Sequence, residues 1–200
     1  MTVTPLIVGL GGTTRPGSTS ERAMTVALAH ARTLGCETLA FGSAKMPTEP
    51  YDPSRPDRSA AALALVDALR RADGVLIVSP AYHGGVSGLV KNAVDFTEDL
   101  RTDKRVYLQG RAVGCIVCAE GPQAMGSTLA SLRAIVHSLR GWPTPFGAAL
   151  NSTTHPFGAE SQAADPVALK ACETVAEEVV AFARMMLAAR QPQQFTSRAA

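Results

Sequence analysis

Short apolar runs alternate along the chain with stretches in which apolar residues recur every three or four positions. Residues 5–10, 36–41, 75–79 and 111–119 form the runs and read as strands. The run Val75-Leu76-Ile77-Val78-Ser79, introduced by Asp73-Gly74, has the uninterrupted, β-branched character of a strand buried on both faces of a parallel sheet. Between the runs, Met24, Ala27, Leu28, Ala31 and Leu34 mark a helix with Thr19 or Ser20 as its cap, Glu21 in its first turn and Gly35 as its stop. Leu63, Val66 and Leu69 mark a second helix; Val86, Leu89, Val90, Ala93 and Val94 mark a third, with Lys91, Asn92 and Asp95 turned away from its apolar face. A fourth follows Met125, Leu129, Leu132, Val136 and Leu139, with Arg133 and Arg140 read as solvated, and a long fifth runs through Cys172, Val175, Ala176, Val179, Ala183 and Met186. Residues 142–150 make a weaker fifth strand. Pro143 and Pro145 cannot donate to a ladder, so it should be short, irregular or at an edge.

Strands alternating with helices through right-handed crossovers give an α/β fold, a doubly wound three-layer α/β/α sandwich on a parallel five-stranded sheet of order 2-1-3-4-5. That order brings the loops after strands one, three and four to one rim. Residues 1–190 are expected to form one domain and 191–200, with nothing to bury, a disordered tail. Residues 98–110 read as a polar connection. Residues 42–58 hold four prolines and no usable period, and a loop of that length should cover a pocket edge or meet a partner subunit.

Charge narrows the function classes. The formal net charge is +2 and the basic residues are scattered, so neither nucleic acid nor a membrane surface is implied as a partner. There is no basic segment ahead of an apolar leader and no apolar run of about 18 residues, which points to the cytoplasm. The four cysteines are too dispersed for a disulfide framework. Cys115 and Cys118, three apart on a strand, face opposite sides and should pack in the core. His30, His137 and His155 lack partners at metal-ligand spacing, so no metal site is expected.

The chemistry concentrates in three loops. After the first strand, Gly11-Gly12-Thr13-Thr14-Arg15-Pro16-Gly17-Ser18-Thr19-Ser20 leads into a helix N-terminus, where hydroxyls, free amides and the positive end of the helix dipole suit a phosphate. Arg15 adds a guanidinium. After the third strand, Pro80 is expected to end the strand, and Ala81, Tyr82, His83, Gly84 and Gly85 offer a backbone able to approach a flat ring closely. After the fourth, Glu120-Gly121-Pro122-Gln123 forms a polar edge, with Gly121 and Gln123 in reach of a ligand rim. Flavin mononucleotide (FMN) has this layout, with its phosphate at Thr13, Ser18, Thr19 and Ser20 and its ring against Tyr82-His83-Gly84.

The motifs carry a resemblance as well. Residues 12–20 are similar to the G-S-x-R-x-x-S-x-N phosphate loop of the NAD(P)H-dependent FMN reductases, a flavodoxin-like family, and residues 79–95 resemble that family's P-E-Y-N-x-x-x-x-x-L-K-N-x-x-D segment. The chain departs from those patterns at Ser20, Ala81 and His83, where the family often has Asn, Glu and Asn. The resemblance implies phosphate binding by Thr13, Arg15, Ser18 and Ser20, ring contacts by Pro80, Tyr82, His83 and Gly84, and structural roles for Asn92 and Asp95. It implies hydride transfer from NADPH or NADH to flavin N5 in a ping-pong scheme without a catalytic acid or base, by a homodimer or homotetramer. Alternative readings are an NAD(P)H:quinone or azo-dye reductase with tightly held FMN, a non-catalytic electron carrier, and a flavin-free interaction module.

Overall fold

The computed structural model describes residues 3–158 and 163–190; the expected disordered tail lies outside them. The elements are β1 (Leu6–Gly11), α1 (Thr19–Thr33), β2 (Glu37–Phe41), α2 (Ala60–Arg71), β3 (Gly74–Tyr82), β4 (Gly85–Val86), α3 (Gly88–Asp95), β5 (Ala112–Ala119), α4 (Pro122–Ser138), β6 (Trp142–Pro143), β7 (Ala148–Asn151) and α5 (Pro166–Arg190). The sheet runs β2-β1-β3-β5-β6, with β7 also on β5. This is the expected strand order, with the last strand split in two. Pro143 and Pro145 interrupt the run, leaving a two-residue and a four-residue piece, both parallel to β5.

Alternation along each strand builds two cores. Val75, Ile77, Val113, Cys115 and Val117 face α2, α3 and α4, while Leu76, Val78, Ile116 and Cys118 face α1 and α5. Cys115 and Cys118 therefore pack on opposite sides of the sheet, as their spacing requires. Burial pushes the Cys115 thiol up to about 12 and raises Cys118 further, with Cys172 a second cause there. Helix α5 lies close on the sheet because glycines stand beneath it. A Cβ on Gly74 would meet Val179 Cγ1 at 2.5 Å, and one on Gly114 would meet Val175 Cγ1 at 2.4 Å.

Four local expectations change. Ser18, not Thr19 or Ser20, caps α1, because its hydroxyl accepts from the Glu21 amide at 3.4 Å. Gly35 (φ 80°) does end that helix, with Cys36 N–H bonding Ala31 O in a Schellman turn. Pro80 does not end β3. It sits level with Cys118 of β5, and the strand continues to Tyr82 before folding back antiparallel as β4. The connection after α3 begins with a 3₁₀ turn, Phe96–Leu100, whose Phe96 and Leu100 are fully buried. Arg133 is not simply solvated, since it donates to Thr144 O at 2.7 Å and ties α4 to the segment between β6 and β7.

The proline-rich loop 42–58 is pinned down. Asn92 accepts from Tyr51 N at 2.8 Å and donates to Glu49 O at 2.9 Å, a structural role. Arg58 grips Asp99 through two 2.8 Å bonds and lies 4.7 Å above the Tyr51 ring. The loop lines no part of the cleft described below.

Close packing of α5 makes an opposed pair of outcomes. Gly114→Ala drives a methyl into Val175 and is expected to cost about 1–3 kcal/mol. Gly126→Ala, in α4 with nothing within 4 Å, is expected to stabilise by about 0.5–1 kcal/mol. Urea unfolding midpoints of the two variants check both signs.

Candidate functional site

The carboxyl ends of β1, β3 and β5 open onto a cleft of about 390 Å³. Thr13, Arg15, Ser18, Thr19 and Ser20 form one wall, Pro80, Ala81, Tyr82 and His83 another, and Cys118, Ala119, Glu120, Gly121 and Ala124 a third. All three loops singled out in the sequence meet here. Of the residues expected at the site, Gly84 and Gln123 do not line the cleft. Gly84 turns its carbonyl to Ser127 Oγ at 3.0 Å, and Gln123 is exposed in the first turn of α4. That helix starts two residues earlier than a loop through Gln123 would allow, because Pro122 fits its first position.

The first wall is organised for an anion. Gly12 N–H bonds Val78 O at 3.2 Å and holds the loop against β3. Thr13 Oγ1 accepts from Arg15 N at 3.0 Å. Ser18 and Ser20 are buried with their hydroxyls 3.4 Å apart. Among the described residues the Thr19 and Ser20 amides and the Arg15 guanidinium find no acceptor. Free amides at the start of a fifteen-residue helix, two inward hydroxyls and an unpaired guanidinium match what a phosphate monoester asks for.

Glu21 shapes this loop from behind. Its carboxylate accepts from Gly17 N at 2.7 Å, Ser43 N at 2.8 Å and Ser43 Oγ at 2.9 Å, joining the loop after β1 to the one after β2. Burial raises its pKa, but the bonds from the Ser43 and Gly17 amides and the Ser43 hydroxyl outweigh this and leave it below the ordinary carboxylate value.

The second wall is a two-residue hairpin. His83 (φ 52°) and Gly84 (φ 78°) both take positive φ, as the tight turn between β3 and β4 demands, and Tyr82 is left 58% exposed at its edge. Ser79 Oγ accepts from Ser87 N at 3.0 Å and closes the hairpin onto the start of α3. Pro80, Ala81, Ala119 and Ala124 give this half of the cleft an apolar lining.

Sequence reasoning missed Ser152. Asn151 is level with Ala119 in the ladder, so the next residue enters the cleft, but the proline-broken run hid where β7 would end. The same turn contributes His155 and Phe157 to an adjoining hollow, where Arg22 donates to the carbonyls of Phe157 and Gly158.

The family described as NADPH-dependent FMN reductase matches residues 5–155. The chain belongs to that family. No curated protein matches the sequence. Among solved structures, the apo form of an NADH:FMN oxidoreductase (EMOB) is similar at 19% identity and a TM-score of 0.63, over 90% of this chain and 89% of that one. FerB, a flavoenzyme NAD(P)H:(acceptor) oxidoreductase from Paracoccus denitrificans, is similar at 18% identity and 0.70, over 92% and 99%. The flavodoxin, WrbA-like protein from Agrobacterium tumefaciens gives 16% identity and 0.62, over 92% and 99%. At these identities the likeness is one of fold, and it is flavodoxin-like. Among the described residues, no helix is long and apolar enough to cross a membrane.

The lowered Glu21 pKa fixes the sign of an acid effect. Glu21→Gln is expected to cost roughly 1 kcal/mol at pH 7. The wild-type advantage should be full above the unfolded carboxylate pKa and vanish as pH falls through the lower folded value. Urea unfolding of both proteins at neutral pH and in acid measures the difference.

Proposed function

We propose that the protein is an NAD(P)H-dependent FMN reductase working in this cleft. The observation that carries the reading is the meeting of an anion-ready helix N-terminus, an exposed aromatic hairpin and an apolar-floored turn at one rim, in a chain of this family. The residues present fit FMN. Thr13, Arg15, Ser18, Thr19 and Ser20 would hold its phosphate; Pro80, Ala81, Tyr82 and His83, with Gly84 behind them, would hold its ring, and Gly121 its polar edge.

When bound, FMN supplies a hydride acceptor at N5 for a nicotinamide, and the redox chemistry is the cofactor's. The chain's part is placement. The Gly12–Val78 bond and the Glu21 bonds fix the phosphate loop before any ligand arrives, so little ordering remains to be done on binding. The hairpin, braced by Ser79 and Ser127, presents Tyr82 and His83 at the mouth while the buried Pro80 and Cys118 keep the floor dry. No side chain is assigned an acid or base role. The one open mouth beside Tyr82 and His83 favours a scheme in which nicotinamide and the second substrate use the same side in turn. NADPH or NADH is the donor, and a homodimer or homotetramer the working unit.

Arg15 gives the clean test, because its guanidinium supports nothing else among the described residues. Arg15→Ala is expected to weaken FMN about tenfold or more, the worth of a charge-assisted phosphate bond. Riboflavin, which has no phosphate, should bind the variant and the wild type equally. Absorbance titrations followed by NADPH and NADH oxidation with added FMN make the measurement. Equal losses for both flavins, or no oxidation of either donor, would remove the assignment.

A further inference from the structure

At the other end of the sheet, where β3 and β5 begin, lies a second cavity of about 620 Å³, and every side chain lining it is charged: Arg70, Asp103, Lys104, Arg105 and Arg190. They come from the last turn of α2, the connection before β5 and the last turn of α5. Beneath them is Arg111, the residue before β5, with no exposed surface. At 3.3 Å per residue along β3, this cavity is roughly 25 Å from the cleft.

The two inner guanidinium groups are held together against their own repulsion. Arg105 donates to Ala72 O at 3.0 Å and to Arg70 O at 2.7 Å; Arg111 donates to the same two oxygens at 3.0 and 2.8 Å. Two nitrogens bonded to one oxygen at such lengths are within about 6 Å of each other. Among the described residues, no carboxylate bonds to either group. Burial first, then Arg105 and Arg190, push the Arg111 guanidinium down to about 10, while Asp73 and Asp103 pull the other way. Burial and Arg190 likewise lower Arg105.

The carbonyl end of α2 explains why Arg105 and Arg111 are there, since its partial negative charge attracts cations. It does not explain why Lys104 and Arg190 are added in front of them. Arg70 is paired with Asp103 at 2.8 Å and Arg190 stands 3.5 Å from Asp73, but the Lys104 ammonium bonds to nothing among the described residues. Four cations and one carboxylate thus line an open cavity, with the buried Arg111 beneath them.

We propose that this cavity binds an oligophosphate anion, held by Lys104, Arg105 and Arg190 above the buried Arg111. Its volume accepts inorganic pyrophosphate or triphosphate. With no aromatic or apolar side chain in its lining, it reads charge and gives a nucleoside nothing to stack on. The site is separate from the flavin cleft and does not rest on the function assigned there.

The test is calorimetric titration of inorganic triphosphate into the full chain at low salt with FMN present, on wild type, Lys104→Ala/Arg190→Ala, Lys104→Glu and Arg15→Ala. One binding event is expected in wild type and in Arg15→Ala, weakened at least about tenfold in both cavity variants. Lys104 is exposed and unbonded, so Lys104→Glu keeps the test valid should loss of Arg190 disturb the fold. ATP should bind within about threefold of triphosphate, because only the phosphates are gripped. Unchanged binding in both cavity variants, loss confined to Arg15→Ala, or a strong preference for the nucleotide would each overturn the proposal.

Discussion

The site depends on one constraint, the level parallel pairing of β1 and β5 on either side of β3. Gly11 is opposite Val78, and Pro80 is opposite Cys118, so the three strands deliver their following loops to the same rim. Parallel strands need long crossovers, and these put α1 and α5 on one face and α2, α3 and α4 on the other. Both faces are covered, which leaves the strand ends as the place where backbone and polar groups can meet a ligand. A slip of one residue in β3 would exchange its two core faces and misplace the hairpin.

Within that frame the loop after β1 is held from behind by a carboxylate. Glu21 stands in the first turn of α1, where the helix dipole favours an anion, yet its oxygens are turned to the amides of Gly17 and Ser43. Its charge goes into fixing the loop's shape. The amides of Thr19 and Ser20 and the Arg15 guanidinium bond to nothing among the described residues, and the Ser18 and Ser20 hydroxyls lie 3.4 Å apart beside them. Positive charge is also concentrated at the far end of the sheet, where a helix carbonyl terminus gathers two guanidinium groups and the surface adds more.

Much of this was legible in the sequence because the signals were local and strong. Five alternating apolar patterns fixed the layers and the strand order, and small-residue loops after the first and third strands located two walls of the cleft. What escaped depended on tertiary context. Ser18, Thr19 and Ser20 are all good caps, and only the loop's path after Gly17 decides among them. Pro80 looked like a strand end, but a proline needs only a position where its missing N–H is not called on, and β3 runs on into a hairpin. Ser152 was hidden behind two prolines, and the burial of Arg111 at the head of an apolar strand became evident only once α2's last carbonyls were seen to converge on it.

In the proposed function three turns grip one ligand together. Amide hydrogen exchange of the protein with and without FMN tests it most directly. Added protection is expected in residues 18–20, 81–85 and 119–121 at once, with riboflavin protecting the last two segments but not the first. Protection confined to a single segment, or found away from this rim, would contradict it.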